Sequence, residues 1–310
     1  MTAGREWLAE RALLAGWALA RSLPEPVAAL AFRTAGDVAV RRGGAGIDQL
    51  RVNLARVLAA TGSGRDLDEL VRLGIRSYAR YWQETFRLSV TAPAAIVART
   101  EVTGWAHVEA VRRDGRGVLA VLTHSGNWDA YAVVFRARLG TGFTTVAERL
   151  RPQAIFDRFV AHRERLGMEV LPLTGGERPV ATVLGERLRS GGSVCLLADR
   201  DLSSQGLRID FFGEPATFPP GPALLAATTG AALVPMLGSF TQHGWRMEFQ
   251  PEIVVPAEGR LRDRVRAATE ELVVLFERGI AAHPEDWHML QPLWTADRPV
   301  PNPATAGRPA

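Results

Sequence analysis

The stretch Val118-Leu-Ala-Val-Leu-Thr123, continued by His124-Ser-Gly-Asn-Trp-Asp129 and an apolar, helix-like run to Leu139, decides the fold class. The first six residues read as a short buried strand, Gly126 as the break, and the segment from Trp128 as a helix. The alternation continues with a strand over Phe143 to Ala147, a helix over Pro152 to Leu166 and a strand over Glu169 to Leu173. A helix over Pro179 to Arg189, a strand over Ser193 to Ala198 and a helix near Pro222 to Thr229 come next, then strands over Ala232 to Leu237 and Trp245 to Gln250. Strands alternating with helices make βαβ units, so the expected fold is α/β, a central and mostly parallel sheet flanked by helices.

Ligands of such sheets bind beyond the carboxyl ends of the strands. The residues expected there are His124, Glu148-Arg149, Thr174-Gly-Gly and Asp199-Arg200-Asp201. Polar and ionisable side chains at successive strand ends are the main functional signal in the chain. His124 sits in a loop that leads into a helix, whose free N–H groups favour anionic oxygen. With Asp129 in the first helical turn, its carboxylate is expected to reach the imidazole, fix its tautomer and leave the other nitrogen as a base.

Upstream, residues 6–23, 27–42, 48–60 and 66–90 read as helices, with Asp66 as an N-cap and Glu69 completing the capping pattern. The longest apolar run of the first helix is Ala12 to Ala20, too short to span a bilayer. Its Arg11 and Ala-Leu-Ala resemble a secretory signal, but Glu6 and Glu10 argue against one. Trp7 and Trp17, with the basic Arg41-Arg42 end of the second helix, suggest an amphipathic anchor on a membrane surface; helices that simply cover the sheet are the alternative. The expected organisation is one domain over 1–295, with residues 1–90 helical and membrane-facing and 117–295 the α/β core. A flexible, proline-rich tail over 296–310 follows.

Composition narrows the chemistry. All 37 basic residues are arginine, which removes Schiff-base and P-loop lysine mechanisms. The first and second hundred residues carry +5 and +3, and the rest −4, so the front of the molecule suits an anionic partner. The acidic C-terminal third argues against nucleic acid. Cys195 is the only cysteine, which excludes an internal disulfide and any zinc site built on two or more cysteines. Mean hydropathy is zero and no apolar run approaches a membrane-spanning length.

A histidine followed five positions later by aspartate, after an apolar strand, is the signature of glycerolipid and lipid A acyltransferases. The surrounding text resembles the lipid A late acyltransferase superfamily, and within it the actinobacterial phosphatidylinositol mannoside acyltransferases. The likeness runs in order over about 48–295 through HSGNWD (124–129), TTVAERLRP (144–152), RERLGMEVLPLTGGERP (163–179) and ADRD (198–201). It continues through DFFGEP (210–215), PPGPALLA (219–226), TGAALVP (229–235) and HPEDWHMLQPLW (283–294). The resemblance implies acylation of a mannose hydroxyl on a phosphatidylinositol mannoside glycolipid. Acyl-CoA is the implied co-substrate and no bound cofactor is implied. The implied location is peripheral, among the inner-membrane surface lipids on the cytoplasmic face of the plasma membrane. The family's second acid is usually a glutamate in Ala-Glu-Arg-Asp, where this chain has Asp199. The Glu-Gly-Thr-Arg motif of glycerol-phosphate acyltransferases is missing, against a simple lysophosphatidate substrate.

The expected mechanism is direct transfer, with His124 as general base and Asp199 and Asp129 orienting it. Glu148 is expected to bind sugar hydroxyls, or to pair with Arg149. Arg163 is expected at a CoA phosphate, as the resemblance implies, or on a solvated surface. Arg200 would hold phosphate or pair with Asp201, and Gln205 would touch substrate. Ser125 is assigned helix capping or an oxyanion contact. Cys195 is read as a buried strand residue, and Trp287 and His288 as packing of the last helix. Phe211, Phe212, Phe218 and the Gly221-Pro222 turn line either an acyl groove or ordinary core. A thioesterase or lipase, an acyltransferase on another glycolipid or lysophospholipid, and a noncatalytic lipid-binding protein remain open at this stage.

Overall fold

The computed structural model describes residues 11, 15–149, 153–201 and 206–297. Helices α1 (described over 15–22), α2 (Glu25–Arg42), α3 (Ala45–Thr61), α4 (Leu67–Leu88) and α5 (Pro93–Ala98) come first. The alternating part follows as β1 (Thr100–Thr103), α6 (Trp105–Arg113), β2 (Val118–Leu122), α7 (Trp128–Leu139), β3 (Phe143–Ala147) and α8 (Gln153–Arg165). It continues with β4 (Met168–Pro172), α9 (Val180–Arg189), β5 (Ser193–Leu197), the hairpin β6 (Leu207–Phe211) and β7 (Glu214–Phe218), and α10 (Gly221–Thr229). Strands β8 (Ala232–Phe240) and β9 (Trp245–Phe249) lead to α11 (Leu261–Ala282).

Seven strands form one sheet in the order β1-β9-β8-β2-β5-β3-β4, parallel except where β8 meets β9. The α/β reading therefore holds. All five residues of β2 are buried. Leu119 and Val121 join the core under α9, α10 and α11, while Val118, Ala120 and Leu122 join the core under α6 and α7. A strand covered on both faces reads as a continuous apolar run, which is why Val118 to Leu122 shows no polar alternation.

Several elements escape the sequence reading, α5 among them. β1 is a four-residue edge strand with every second residue exposed, so it carries no apolar run. α6 follows it directly. The β6–β7 hairpin turns on Phe212 and Gly213, both at positive φ (51° and 81°), the geometry of a tight two-residue turn that suits strand twist.

The helical front end packs onto the core through α4. Leu70, Val71, Ile75, Tyr81, Phe86 and Leu88 are buried along it. Trp17, expected at a membrane surface, is instead 4% exposed, stacked on Phe86 at 5.0 Å and tilted against Phe159 at 5.3 Å. The large apolar side chains exposed on the described parts of α1 and α2 are Leu19, Val27 and Leu30. Trp7 and the tail from Arg298 lie outside the described residues. Among the described residues, no helix is long and apolar enough to cross a membrane.

Asp66 caps α4 as expected, accepting from Glu69 N at 2.7 Å. Glu69 does not return the bond; its carboxylate turns outward to Arg72. Asp66→Ala is expected to lower stability by about 1 kcal/mol, read as a fall in the urea midpoint at unchanged slope.

Candidate active site

Strand register places His124 beside Asp199. β2 and β5 run parallel with Leu122 opposite Leu197, and Ala198 N donates to Leu122 O at 2.9 Å. Each chain runs two residues further, so His124 and Asp199 leave the sheet at the same level on neighbouring strands. The imidazole Nδ1 lies 2.6 Å from Asp199 Oδ1, and His124 N donates to Asp199 Oδ2 at 2.9 Å. Asp199 is fully buried, whereas the His124 side chain keeps 25% of its surface exposed. The aspartate therefore contacts the imidazole directly despite its shorter side chain. Burial pushes its carboxyl up, but the charge and N–H groups of His124, helped by the Trp287 indole, hold it below the usual carboxylate value.

The loop between His124 and α7 is shaped by Gly126 and Asn127. Gly126 has φ 63°, and a Cβ there would fall 2.0 Å from Tyr131 Oη, so only glycine fits. The helix cap is Asn127, whose side chain accepts from Ala130 N at 3.0 Å. Ser125, for which capping was one of two expected roles beside an oxyanion contact, instead shares a hydrogen bond with Thr123 Oγ1 at 2.8 Å. Beneath the loop, the buried Glu84 carboxylate accepts from Asn127 Nδ2 and from the Trp245 indole, at 2.9 and 2.7 Å.

Asp129 does not serve the imidazole. It faces α4 and α8, accepting from Arg163 Nε at 2.7 Å and from Tyr81 Oη at 2.9 Å. Helix periodicity explains the correction, because the first turn of α7 carries its second residue away from the strand-end loop. Arg163 is corrected with it: not a solvated surface residue, its guanidinium grips Asp129 with 19% of the side chain exposed. Burial would raise the Asp129 carboxyl, yet the Arg163 charge and hydrogen bond bring it below the usual value.

The remaining strand-end residues pair differently from the expectation. Glu148 binds Arg200 at 3.0 Å, not Arg149. Arg149 donates to the carbonyls of Thr174 and Gly175, both at 2.8 Å, and so ties the β3 loop to the β4 loop. Glu148 is half exposed at the same sheet edge as His124. Gln205 lies outside the described residues.

Sequence reasoning missed the segment Asp286-Trp287-His288. It lies beyond α11 and pairs with the His124 loop in antiparallel fashion: Gly126 N donates to Asp286 O at 2.9 Å and His288 N to His124 O at 2.8 Å. The two histidines are thus cross-strand neighbours on one face, and both rings lie against Trp128, at 5.3 and 5.9 Å. Ser77 Oγ donates to Asp286 Oδ1 at 2.8 Å and lies 2.9 Å from His288 Nε2, so that nitrogen carries the proton. Burial pushes His288 down to about 3 and keeps it neutral. The signal was present in the run HPEDWHMLQPLW, but no spacing rule connects position 77 or 124 with 286–288.

A small cavity of about 50 Å³ lies between α7 and the sheet, walled by Leu122, Trp128, Ala132, Phe135, Cys195 and Leu197 among others. Trp128 is shared between its wall and the His124 ring. The Cys195 thiol lines the cavity, and burial pushes it up to about 12, which leaves no thiolate nucleophile near neutrality. Phe211 and Phe218, one of the alternatives for an acyl groove, are fully buried in the core on the other face of the sheet.

Removing one partner of the Asp129–Arg163 pair strands a buried charge. Arg163→Gln is expected to cost about 3–5 kcal/mol at pH 7. A carboxyl held low in the fold stabilises it above its unfolded value and loses that contribution as pH falls through its folded value. The difference between variant and wild type should therefore narrow as pH falls below about 4, read by urea denaturation at several pH values.

Comparison with known proteins agrees with this architecture. The chain matches the family described as bacterial lipid A biosynthesis acyltransferase over residues 2–296. The phosphatidylinositol mannoside acyltransferase of Mycobacterium tuberculosis H37Rv is 46% identical over 92% of this chain and 88% of its own length. That of Mycolicibacterium smegmatis is 45% identical over 91% and 90%. A lipid A biosynthesis acyltransferase of Haemophilus influenzae is 20% identical over 60% and 57%. A histidine–aspartate pair at the strand ends, an apolar cavity beside it and a family match over nearly the whole length lead to one conclusion: the chain is an acyltransferase and belongs to the bacterial lipid A biosynthesis acyltransferase family.

Proposed function

We propose that this acyltransferase moves a long fatty acyl chain, palmitoyl or similar, from acyl-CoA to a mannose hydroxyl of a phosphatidylinositol mannoside. The observation that carries the reading is the exposed imidazole, bonded to a sealed carboxylate, at the edge of an apolar cavity. The mycobacterial relatives, named for that glycolipid, support the choice of acceptor.

In this reading Asp199 accepts from His124 Nδ1–H, so Nε2 is the base. Nε2 takes the proton of the sugar hydroxyl as its oxygen attacks the thioester carbonyl. The carbon–sulfur bond breaks, and the imidazolium returns the proton to the departing thiolate. Asp199 compensates the imidazolium charge in a dry setting and is a positioning residue. Asp129 and Arg163 hold α7 against α4 and α8. The cavity receives a short stretch of the acyl chain, where each buried methylene contributes about 0.8 kcal/mol. Glu148, with Arg200 beside it, offers carboxylate oxygens to sugar hydroxyls. Leu19, Val27 and Leu30, exposed on α1 and α2, meet the cytoplasmic face of the membrane.

The test is release of CoA from palmitoyl-CoA with and without purified phosphatidylinositol mannoside. Acceptor-dependent release is expected, falling about 10²–10⁴-fold in His124→Ala with the fold intact by circular dichroism. Equal release without acceptor would make the protein a thioesterase and sink the reading. Ala132→Phe intrudes on the cavity wall. It should lower kcat/KM for palmitoyl-CoA while sparing decanoyl-CoA; a uniform loss on both donors would remove the cavity from the acyl site.

A further inference from the structure

We infer that Trp287 is a positioning residue for the His124–Asp199 pair, its indole N–H fixing the carboxylate in the orientation that aligns the imidazole. The inference rests on the acyl-transfer reading of that pair.

Asp199 has two oxygens and three donors. Oδ1 meets His124 Nδ1 at 2.6 Å, and Oδ2 accepts from both His124 N and Trp287 Nε1, each at 2.9 Å. Without the indole, both oxygens would answer to His124 alone, and the carboxylate could turn about its broad terminal torsion. With it, the carboxylate plane is set from two sides. The indole cannot drift, since Trp287 is fully buried and lies edge-on to Phe211 at 6.0 Å and Trp294 at 6.2 Å.

The backbone of the same segment holds the other member of the pair. The bridge between Ser125 and Trp287 is flanked by two hydrogen bonds, one accepted by the His124 carbonyl itself and one donated by Gly126 N. Asp286 anchors the segment in turn, accepting from Ser77 Oγ and from Phe240 N, both at 2.8 Å. One three-residue stretch therefore sets the imidazole through its backbone and the carboxylate through a side chain. A ring needed only to fill space would not place its single donor on the one carboxylate bonded to the imidazole.

Trp287→Phe removes the donor and keeps an aromatic ring. Trp294→Phe is the packing control, since that indole donates to Phe211 O at 2.9 Å and not to Asp199. The expected result for Trp287→Phe is a fall in kcat of about 10–100-fold, the usual cost of an outer-shell partner, with KM for palmitoyl-CoA unchanged. The acid limb of log kcat/KM against pH should also move upward, because a carboxylate with one donor fewer favours the protonated imidazole more strongly. His288, which interacts electrostatically with both His124 and Asp199, stays neutral over the measured range and leaves that limb to the pair. Trp294→Phe should leave the limb in place. Loss of rate in Trp287→Phe with an unmoved limb would reduce the indole to packing and overturn the inference.

A second measurement avoids mutation of the tryptophan. In wild-type protein labelled with ¹⁵N-tryptophan, the Trp287 indole resonance should titrate with the midpoint of the acid limb, and the titration should vanish in His124→Ala. A wild-type indole resonance that stays flat across that range would equally overturn the inference. This reading uses no substrate, so a failure of the proposed reaction and a failure of the indole contact show up separately.

Discussion

A 2.6 Å contact between an exposed imidazole and a fully buried carboxylate is the constraint around which the rest of the molecule is arranged. A buried aspartate is costly unless its charge is matched and its oxygens are filled. Here the sheet supplies the matching partner by register, since Leu122 and Leu197 are paired and the two chains leave the sheet at one level. The loop supplies a backbone donor, and the chain beyond α11 supplies the indole. A second buried ion pair, Asp129 with Arg163, sits on the far side of the same helix start and locks α7 to α4 and α8. The two aspartates close to His124 in sequence and in space thus do different work, one serving the ring and the other the scaffold.

The sheet and its strand-end site were legible because parallel strands buried on both faces write themselves as apolar runs. Val118 to Leu122, Phe143 to Ala147 and Ser193 to Leu197 fall within the expected spans, and the helix from Trp128 to Leu139 matches at both ends. Short amphipathic pieces did not announce themselves: β1 is half exposed, and the β6–β7 hairpin turns on a phenylalanine at positive φ. Strand-end logic put His124 and Asp199 at the same edge of the sheet; that the two form a pair was what the family resemblance implied. The orientation of Asp129 could not, because five residues across a loop-to-helix junction do not fix which way a side chain faces. Trp287, His288 and Ser77 were beyond reach for another reason. Their contacts join positions up to 211 residues apart, and local pattern carries no information about such pairs.

The arginine-only composition acquires a structural meaning in the fold. Several arginines that the charge count offers to an anionic partner are engaged internally: Arg76 with Asp37, Arg56 with Asp297, Arg163 with Asp129 and Arg200 with Glu148. Planar, bidentate guanidinium groups suit such pairs better than an ammonium would. Net charge therefore overstates the free positive surface.

The reach of those long-range contacts bears on how the protein comes into being. His124 is bonded to a residue 75 positions downstream, and its loop is bracketed by 286–288, almost at the end of the described chain. Asn53, near the start, is bonded to the carbonyl of Met289. Loop closure over such separations is slow and comes late in folding. On a ribosome, the nascent chain would carry its histidine and aspartate long before the segment that completes their setting emerges. The setting of the pair is thereby complete only once residues 286–288 have been made.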